Sequence, residues 1–463
     1  MTYVGLYEFT QGFSLAFHII FATMGIGLPI IVFIAEYLGI KHNDLYYKTL
    51  AHRMAIVLVV LFAVGTASGT MVALELAFLW PKFMTLVGYV AIYPFYAEVF
   101  AFFSEAIFLS IYFYTGNRIK SNKLRLASLL IVAIAAAMSG ILITMVNAWM
   151  NTPVGFNIPL YISSGFKDIV VTNPLAAFDT PSTPIELFHM LTTSILAGVS
   201  VFFSYFAYKL LKTKDQDEKE YYRRGLKITF GIIAFIIIFA VISGILSITM
   251  LMQYQPEKFD AIELDLVTRP NMPETLFGFY SPVGKTVYNG TVVNGTVVDG
   301  ISIPGLQSIL AYGFGKKALS IVIPGLNAYP KDTWPPLFIH DLFDMMVGVG
   351  FGLGAFIWLI VILMVFFKKK LFENKIVLVL FVLVEVIVLI TMESGWVVDE
   401  VGRVPWIVYN VMPISAAANP SPSILYIAIV IIIVYICIMP ATAYVLKRVF
   451  DARPLKGELK HEL

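Results

Sequence analysis

Residues 377–406 read VLVLFVLVEVIVLITMESGWVVDEVGRVPW. The first half is almost entirely apolar, and with the residues before it the run approaches the ~20 positions that an α-helix needs to cross a bilayer. The second half holds four charged residues and two tryptophans within fifteen positions. Because ionisable side chains at membrane depth are costly, they are retained where they have a function. The stretch therefore predicts a membrane-spanning helix that ends in a functional cluster.

The composition of the whole chain agrees with a membrane location. Hydrophobic residues make up 59% of the 463 positions and charged residues 13%, whereas soluble domains contain about 45–50% and about 25%. The net charge of +2 gives no indication of a nucleic-acid partner, and we expect none. The single cysteine, Cys437, excludes an internal disulfide, a cysteine-rich iron–sulfur site and covalent haem attachment through C-x-x-C-H.

Nine segments are long and apolar enough to span a bilayer, and the N-terminal residues lack the basic region and cleavage site of a signal peptide. The sequence therefore predicts an all-α integral membrane protein, a bundle of about nine transmembrane helices with the first one retained. The predicted spans are 12–39, 52–80, 90–115, 124–149, 185–211, 225–252, 338–367, 375–397 and 424–447.

Lysine and arginine are concentrated in every second connection. They cluster after the third, fifth and seventh spans and in the C-terminal tail, and they are sparse after the second, fourth and eighth. Basic loops remain on the cytoplasmic side under the positive-inside rule. We therefore expect the N-terminus outside and the C-terminus inside. His42, His52 and His461 fall at or beyond the inner ends of spans, where a histidine needs no functional explanation.

Three parts of the chain follow from this layout: residues 1–252 with helices 1–6, a long outer loop at 253–337, and residues 338–463 with helices 7–9 and a cytoplasmic tail. An outer loop of this length is more often functional than idle. Within it, residues 286–300 alternate Asn-Gly and Asp-Gly steps with Thr-Val-Val, which predicts a β-hairpin insert.

Five side chains of haem-ligating or acidic type fall near the outer third of the predicted bundle. Four of them, His18, His189, Met346 and Glu98, lie on different spans, and Glu400 lies just past the outer end of span 8. Histidine with methionine suits a six-coordinate haem iron, and histidine or a carboxylate suits a five-coordinate one. The alternative is structural, since a lone membrane histidine often bonds a neighbouring carbonyl and methionine is a routine packing residue.

Two further pairs stand out. Glu98 and Glu105 are seven residues apart, which puts both on one helix face about 10 Å apart, as in a proton relay. The alternative is that each carboxyl bonds a serine or tyrosine on another helix. Lys258 and Glu263 follow the sixth span directly, where they either form a solvated helix turn or bind and deprotonate a polar headgroup at the interface.

Six local strings occur in the order that one known family has them. They are LAFHIIF in span 1, AFFSEAIF in span 3, VNAWMNTP at the end of span 4, ELFHMLTTSILAG in span 5, QPEKFDAIE at the start of the outer loop and ESGWVVDEVGRVPW after span 8. With nine spans and a long outer loop, the chain resembles subunit I of cytochrome bd-type quinol oxidases along nearly its full length.

The resemblance implies a role for each candidate residue. His189 and Met346 would ligate a low-spin haem b, and His18 would be an axial ligand in a high-spin pair of haem b and haem d. Glu400 would ligate or flank the other high-spin haem, with Glu98 close by. Glu105 would belong to the proton path from the inside, and Lys258 and Glu263 would bind quinol. Arg403 and Trp396 would neutralise haem propionates and line the electron route.

The implied activity is that of a quinol:oxygen oxidoreductase in the cell membrane. It would oxidise membrane quinol at the outer face and reduce O2 to water with protons taken from inside, which separates charge without a pump. The implied partners are a second oxidase subunit, either subunit II or a homologous paired chain, and in some assemblies a small single-helix subunit. A membrane transporter or channel and a non-catalytic paired subunit of a respiratory complex are the alternatives.

The chain departs from the family pattern at three places. Asp344 occupies the position two residues before Met346 where the family usually has arginine, and Ala73 replaces an acidic residue in span 2. The two glutamates of span 3 are one residue closer together than in the family, and one helical position turns a side chain by about 100°. These departures leave two alternatives open for the high-spin pair, one with haem d and one with b haems alone.

Overall fold

The computed structural model describes residues 3–118, 121–313, 315–368, 370–421 and 424–459. Ile119, Lys120, Lys369 and His461, which belong to the loops and tail considered above, lie outside these described residues. Within the described chain, nine helices are long and apolar enough to span a membrane, which confirms the predicted bundle. They are α1 (Tyr3–His42), α2 (Leu45–Leu79), α3 (Ile92–Arg118), α4 (Asn122–Asn151), α5 (Thr183–Lys212), α6 (Gln216–Tyr254), α7 (Ile339–Val365), α8 (Lys375–Val401) and α9 (Leu425–Asp451).

The long connections all lie at one end of the bundle, which we call the loop face and which consists of the described residues 80–91, 152–182, 255–313, 315–338 and 402–421. At the opposite end the connections are short. Each of the four helices that start there has an N-cap side chain that accepts hydrogen bonds from backbone N–H groups of the first turn, which satisfies donors that have no partner within the helix. These caps are Asp44, Ser121, Asp215 and Asn374.

The helices pack as two groups of four. In the first, α1 contacts α2 and α4, and α3 contacts α4, while stacked rings of Phe62 and Phe102 with centroids 4.9 Å apart join α2 to α3. In the second, α5, α6, α7 and α8 each contact the next, and α8 closes the ring on α5. Helix α5 also packs against α1 and α4, and α9 lies against α1 and α2.

The two groups meet where glycines allow two backbones to approach. A Cβ atom at Gly27 of α1 would lie 2.8 Å from the backbone of Gly198 and Val199 in α5. A Cβ atom at Gly198 would overlap the carbonyl oxygen of Thr23. Small residues at helix crossings have this effect in membrane proteins, where close van der Waals packing is a main source of association. The α1–α5 crossing therefore depends on these glycines.

The loop face is built from short elements. Its strands pair antiparallel as β1 with β4, β2 with β3 and β5 with β6. The β2–β3 hairpin turns at Asn289 and Gly290, which both have positive φ as the predicted Asn-Gly turn requires. The strands are β1 (Glu274–Leu276), β2 (Phe279–Tyr288), β3 (Thr291–Val298), β4 (Ile301–Ile303), β5 (Trp406–Val408) and β6 (Met412–Pro413).

Short helices complete the connections at both ends. The one that matters most for the site is Pro256–Ile262, which begins the outer loop directly after α6. The others are Pro81–Val90, Ile158–Ser163, Ala176–Phe178, Leu306–Tyr312, Lys316–Ser320, Leu326–Ala328, Lys331–Thr333, Leu371–Glu373, Ile414–Ala417 and Leu455–Glu458.

Gly198→Ala tests the crossing of α1 and α5. The added methyl group overlaps backbone atoms that cannot rotate away, so we expect a loss of about 1–3 kcal/mol in stability. The measurement is the thermal unfolding midpoint of the purified protein in detergent. Gly231→Ala on α6 is the matched control, because a Cβ atom there meets no atom within 4 Å. Equal unfolding midpoints for the two variants would contradict the close-approach argument.

Candidate functional site

The imidazole of His18 is held by side chains and backbone of neighbouring helices. Its Nδ1 lies 2.9 Å from Oγ of Ser68 on α2. Gly69 follows Ser68 in the chain, and a Cβ atom at this position would lie 3.1 Å from His18 Cε1. The absence of a side chain at Gly69 therefore leaves space for the imidazole ring. Tyr435 of α9 donates a 2.6 Å hydrogen bond to the carbonyl oxygen of Ser68. Contacts from α2 and α9 therefore fix the position of this ring.

His189 has matching surroundings in the second helix group. Its Nδ1 lies 3.1 Å from Oγ of Ser243 on α6. Gly244 follows, and a Cβ atom there would lie 3.8 Å from His189 Cε1. Thr192, one turn further along α5, has its Oγ1 3.1 Å from the same serine oxygen. Each histidine thus faces a Ser-Gly step on the helix that follows its own in the chain.

The two Ser-Gly steps also lie at the same depth. Helix α2 ends at the loop face with Leu79, eleven residues after Ser68, and α6 ends there with Tyr254, eleven residues after Ser243. Eleven residues of α-helix correspond to about 16 Å along the axis. Within the described chain, Nδ1 makes the only ring hydrogen bond of each histidine. When Nδ1 carries the proton, Nε2 keeps a free lone pair, which is the arrangement of metal-ligating histidines.

Met346 lies in the second turn of α7, with its sulfur against α8. A Cβ atom at Gly395 would lie 2.9 Å from Met346 Sδ, so the glycine makes space for the thioether. Helices α5 and α7 stand opposite each other in the second group, since each contacts both α6 and α8. The group therefore contains His189 and Met346 on facing helices. Trp396 follows Gly395 and is partly buried.

Arg403 follows the end of α8 and is only 2% exposed. Its Nη1 donates to Oδ1 of Asn147 at 2.9 Å and of Asn151 at 2.7 Å, and its Nη2 donates to Oε2 of Glu400 at 2.7 Å. Because α8 extends to Val401, Glu400 lies in the last turn of the helix and not beyond the span as the sequence predicted.

Two buried N–H donors, one on Arg403 itself and one on Trp406, lack an acceptor. Nε of Arg403 and Nε1 of Trp406 make no hydrogen bond within the part of the chain that the structure describes. An unpaired buried donor costs about 1–3 kcal/mol, so such groups usually have a partner. A planar guanidinium with a free N–H suits a carboxylate ligand. These donors therefore fit the propionate groups of a haem.

Lys258, from the first helix of the outer loop, forms an ion pair with the end of α8. Its Nζ lies 2.6 Å from Oδ1 of Asp399 and donates to the carbonyl oxygen of the same residue at 2.9 Å. Nδ2 of Asn147 donates to the second carboxylate oxygen at 2.7 Å. The side chain of Lys258 is 2% exposed, which rules out a solvated helix turn at this residue.

These contacts form one network, the polar hub, which also includes Gln255 and Glu186. Gln255 donates to Asn151 at 3.0 Å, and Asn151 donates to Glu186 at 3.0 Å. Sequence reasoning missed the two asparagines and Glu186, although Asn147 and Asn151 are four residues apart and so share one helix face. The members of the polar hub are Asn147, Asn151, Glu186, Gln255, Lys258, Asp399, Glu400 and Arg403.

The span-3 glutamates have different environments. Ser139 of α4 donates a 2.7 Å hydrogen bond to Oε1 of Glu98, which is the contact that the structural alternative predicted for this residue. Glu105 is buried and has no side-chain hydrogen bond among the described residues. Of the two, Glu105 lies deeper in the bundle, because α3 begins at Ile92 on the loop face.

Asp344, at the position where the family usually has arginine, contacts the outer loop and His340. Its Oδ2 accepts a hydrogen bond from the backbone N–H of Phe277 in the outer loop. His340, one turn earlier on α7, has its Nε2 3.5 Å from the same oxygen and its Nδ1 2.6 Å from the carbonyl oxygen of Ile262. Glu263 follows that carbonyl in the outer loop and is 4% exposed, so it is also buried.

Comparison with known proteins identifies the family. The sequence model described as "Cytochrome bd terminal oxidase subunit I" matches residues 7–454. The chain belongs to this family. It is 34% identical over 449 residues to "Putative cytochrome bd menaquinol oxidase subunit I" of Bacillus subtilis (strain 168), with 97% of this chain and 96% of that protein covered. It is 26% identical over 418 residues to "Cytochrome bd ubiquinol oxidase subunit 1" of the same organism, covering 88% and 84%.

A solved structure has the same fold. The bd oxidase from Geobacillus thermodenitrificans matches with a TM-score of 0.86 and 35% identity, over 98% of this chain and 99% of that chain. The predicted resemblance is confirmed, and the chain is a multi-pass cell-membrane protein of a quinol oxidase family. Membership implies haem cofactors and pairing with subunit II. The free Nε2 atoms, the thioether and the unpaired donors of this chain fit such haems.

Variants of Lys258 and Asp399 test the buried ion pair. Lys258→Met removes the cation paired with Asp399, and Asp399→Asn leaves the buried ammonium without its carboxylate. Because Lys258 is buried and Asp399 is partly exposed, each change should lower the stability by about 1–3 kcal/mol. The double variant should lose clearly less than the sum of the two. The measurement is thermal unfolding in detergent, with Lys285→Met on the exposed side of β2 as the control. Strictly additive losses would show that the two charges do not interact.

Proposed function

We propose that this chain is the haem-bearing subunit of an oxidase that oxidises membrane quinol at the loop face and reduces O2 to water. One observation carries the proposal: two partly buried imidazoles, one in each helix group, both have Nδ1 on a serine and Nε2 free. In this proposal the loop face and the N-terminus are outside and the C-terminus is inside, as the distribution of lysine and arginine indicates.

Each candidate ligand has a place in the proposal. His189 and Met346, on facing helices, would hold a low-spin haem b. His18 would hold one haem of the high-spin pair, and Glu400 would ligate or flank the other, with Glu98 nearby. The pair is a haem b with either haem d or a second haem b. Bound haem supplies the one-electron redox and oxygen chemistry, while the protein sets ligation, charge and access.

The residues around these ligands have supporting tasks. Ser68 and Ser243 orient the imidazoles and keep the ligating nitrogen of each unprotonated. Arg403 and Trp406 offer unpaired donors to propionates, and Trp396 lies on the same helix as Glu400 and lines the electron route. Because Arg403 is already fixed by Asn147 and by Glu400, binding a propionate costs it little side-chain entropy.

Quinol would bind at the outer loop, residues 253–337, near Lys258 and Glu263. Glu263 is the residue that would take up the hydroxyl protons of quinol, and Lys258 holds the loop helix on α8 through Asp399. Residues 1–252 and 338–463 would then supply the haem ligands. Protons for water would enter from the opposite face past Glu105, so charge is separated without a pump. A small single-helix subunit is a further proposed partner beside subunit II.

The decisive experiment uses this chain purified together with its subunit II. We expect a red preparation with haem absorption bands that consumes O2 when quinol is added. A colourless preparation, made in cells supplied with haem, would contradict the proposal and favour a transporter or a structural subunit. A red preparation that is never reduced by quinol would contradict the quinol site alone.

His189→Ala tests the low-spin assignment. Without the imidazole the low-spin iron loses an axial ligand, so its signal should disappear from the reduced-minus-oxidised absorption spectrum. His42→Ala, at the exposed opposite end of the bundle, is the control and should leave the spectrum unchanged. A normal low-spin signal in His189→Ala would refute this ligand.

Glu263→Gln tests the quinol assignment. Glutamine keeps the volume of the side chain and removes its capacity to accept a proton, so quinol oxidation should fall by about tenfold or more at unchanged haem content. The measurement is steady-state quinol-dependent O2 consumption beside the haem spectrum. Glu373→Gln, an exposed carboxylate at the opposite face, is the control. Loss of all haem in Glu263→Gln would instead show that the residue has a structural role.

A further inference from the structure

The first helix of the outer loop carries a row of buried carboxyls. Glu257, Asp260 and Glu263 follow one another at intervals of three residues in and directly after the helix Pro256–Ile262. Residues at this spacing are neighbours on one helix face, with a rise of about 4.5 Å per step. Their side chains are 6%, 1% and 4% exposed. Asp260 lies close enough to Glu257 for their charges to interact, and Asp265 interacts in the same way with both Asp260 and Glu263.

No cation stands in this row to keep the carboxyls ionised. Lys258 points to another face of the same helix, where its ammonium is paired with Asp399. Burial raises the pKa of Asp260 to about 10, and the carboxyls of Asp265 and Glu257 add to the effect. Burial and the neighbouring Glu274 raise the pKa of Glu263 well above its ordinary value. Both shifts favour the protonated forms of Asp260 and Glu263.

Protonated carboxyls are suited to passing protons on. A neutral carboxyl donates through its hydroxyl and accepts at its carbonyl oxygen, so it can take a proton on one oxygen while it releases one from the other. Oδ2 of Asp260 and Oε2 of Glu257 are buried and have no hydrogen-bond partner among the described residues. Each of these two oxygens can therefore form a further hydrogen bond, and one water molecule can bridge the carboxyls of Asp260 and Glu257.

The row has one end at solvent and the other at the proposed quinol site. Oε1 of Glu257 accepts a 3.0 Å hydrogen bond from Oγ1 of Thr333. Thr333 directly follows Lys331 and Asp332, which are both exposed. At the other end, Glu263 is the residue to which the proposed function assigns the protons of quinol. The row therefore connects that residue with the outer surface.

We propose that Glu263, Asp260 and Glu257 form a relay that carries the protons of quinol to solvent at Thr333. The inference rests on the proposed function. Oxidation of one quinol releases two electrons, which the haems of the oxidase accept, and two protons. Each proton binds to the carbonyl oxygen of Glu263 as its hydroxyl proton moves to Asp260. The same exchange passes a proton to Glu257 and from there to water, so every carboxyl ends in its starting state.

The test compares Asp260→Asn, Asp260→Glu and a control in the oxidase complex. Asparagine has the volume of aspartate but cannot relay a proton, so the kcat of quinol oxidation should fall about tenfold or more at unchanged KM and haem spectrum. The solvent deuterium isotope effect on kcat should rise. Asp260→Glu keeps a carboxyl and should restore most of the rate. Asp299→Asn, an exposed carboxylate of the same loop, should behave as wild type.

Infrared difference spectra on quinol addition give a second readout. The carboxylic C=O band of the wild-type complex should lose a component in Asp260→Asn and not in Asp299→Asn. If Asp260→Asn kept the wild-type kcat and isotope effect, the relay would be overturned while the proposed function would stand. Equal loss of rate in Asp260→Asn and Asp260→Glu would also overturn it, because that result assigns Asp260 a structural role. A wild-type complex that oxidises no quinol would overturn the proposed function together with the relay.

Discussion

The structure depends on two buried cations at the loop face that are neutralised by partly buried carboxylates. In the polar hub, Arg403 pairs with Glu400 and Lys258 pairs with Asp399, and the side chain of Asn147 bonds one member of each pair. A charge removed from water is tolerated only when it is paired and hydrogen-bonded, so none of these groups can move alone. The ends of α4 and α8 and the start of the outer loop are consequently held together at one point.

This constraint links the two parts of the proposed reaction. The outer loop, where quinol would bind, begins at Gln255, and its first turns are tied to the hub through Gln255 and Lys258. Arg403, one of the two donors that would meet haem propionates, belongs to the same network. A loop attached in this way keeps a fixed distance to the helices beneath it, which electron transfer between two bound groups requires. The acidic row of the loop helix faces away from the hub and stays free of its cations.

The two helix groups position an imidazole through the same kind of contacts. In each, a serine on the following helix binds Nδ1 and a glycine beside it admits the ring. The surroundings of His18 and His189 are alike in these contacts and in depth, but the other candidate haem ligands differ between the two groups. Met346 lies with His189 in the second group, whereas the carboxylate Glu98 lies on α3 in the first group, which also contains His18. This difference in ligand chemistry is what would distinguish an electron-transfer haem from one that binds oxygen.

The sequence by itself determined the membrane class, the nine helices and the hairpin turn, because hydropathy and turn chemistry are local properties of the chain. From motif order it also predicted candidate residues for the site. The partners of those residues were decided only by the tertiary structure. Nothing near Lys258 in sequence indicates Asp399, and nothing near His18 indicates Ser68, since these contacts depend on which helices pack together and at what height. The family pattern likewise predicted which side chains matter but not that Asp344 would bond to Phe277 of the outer loop.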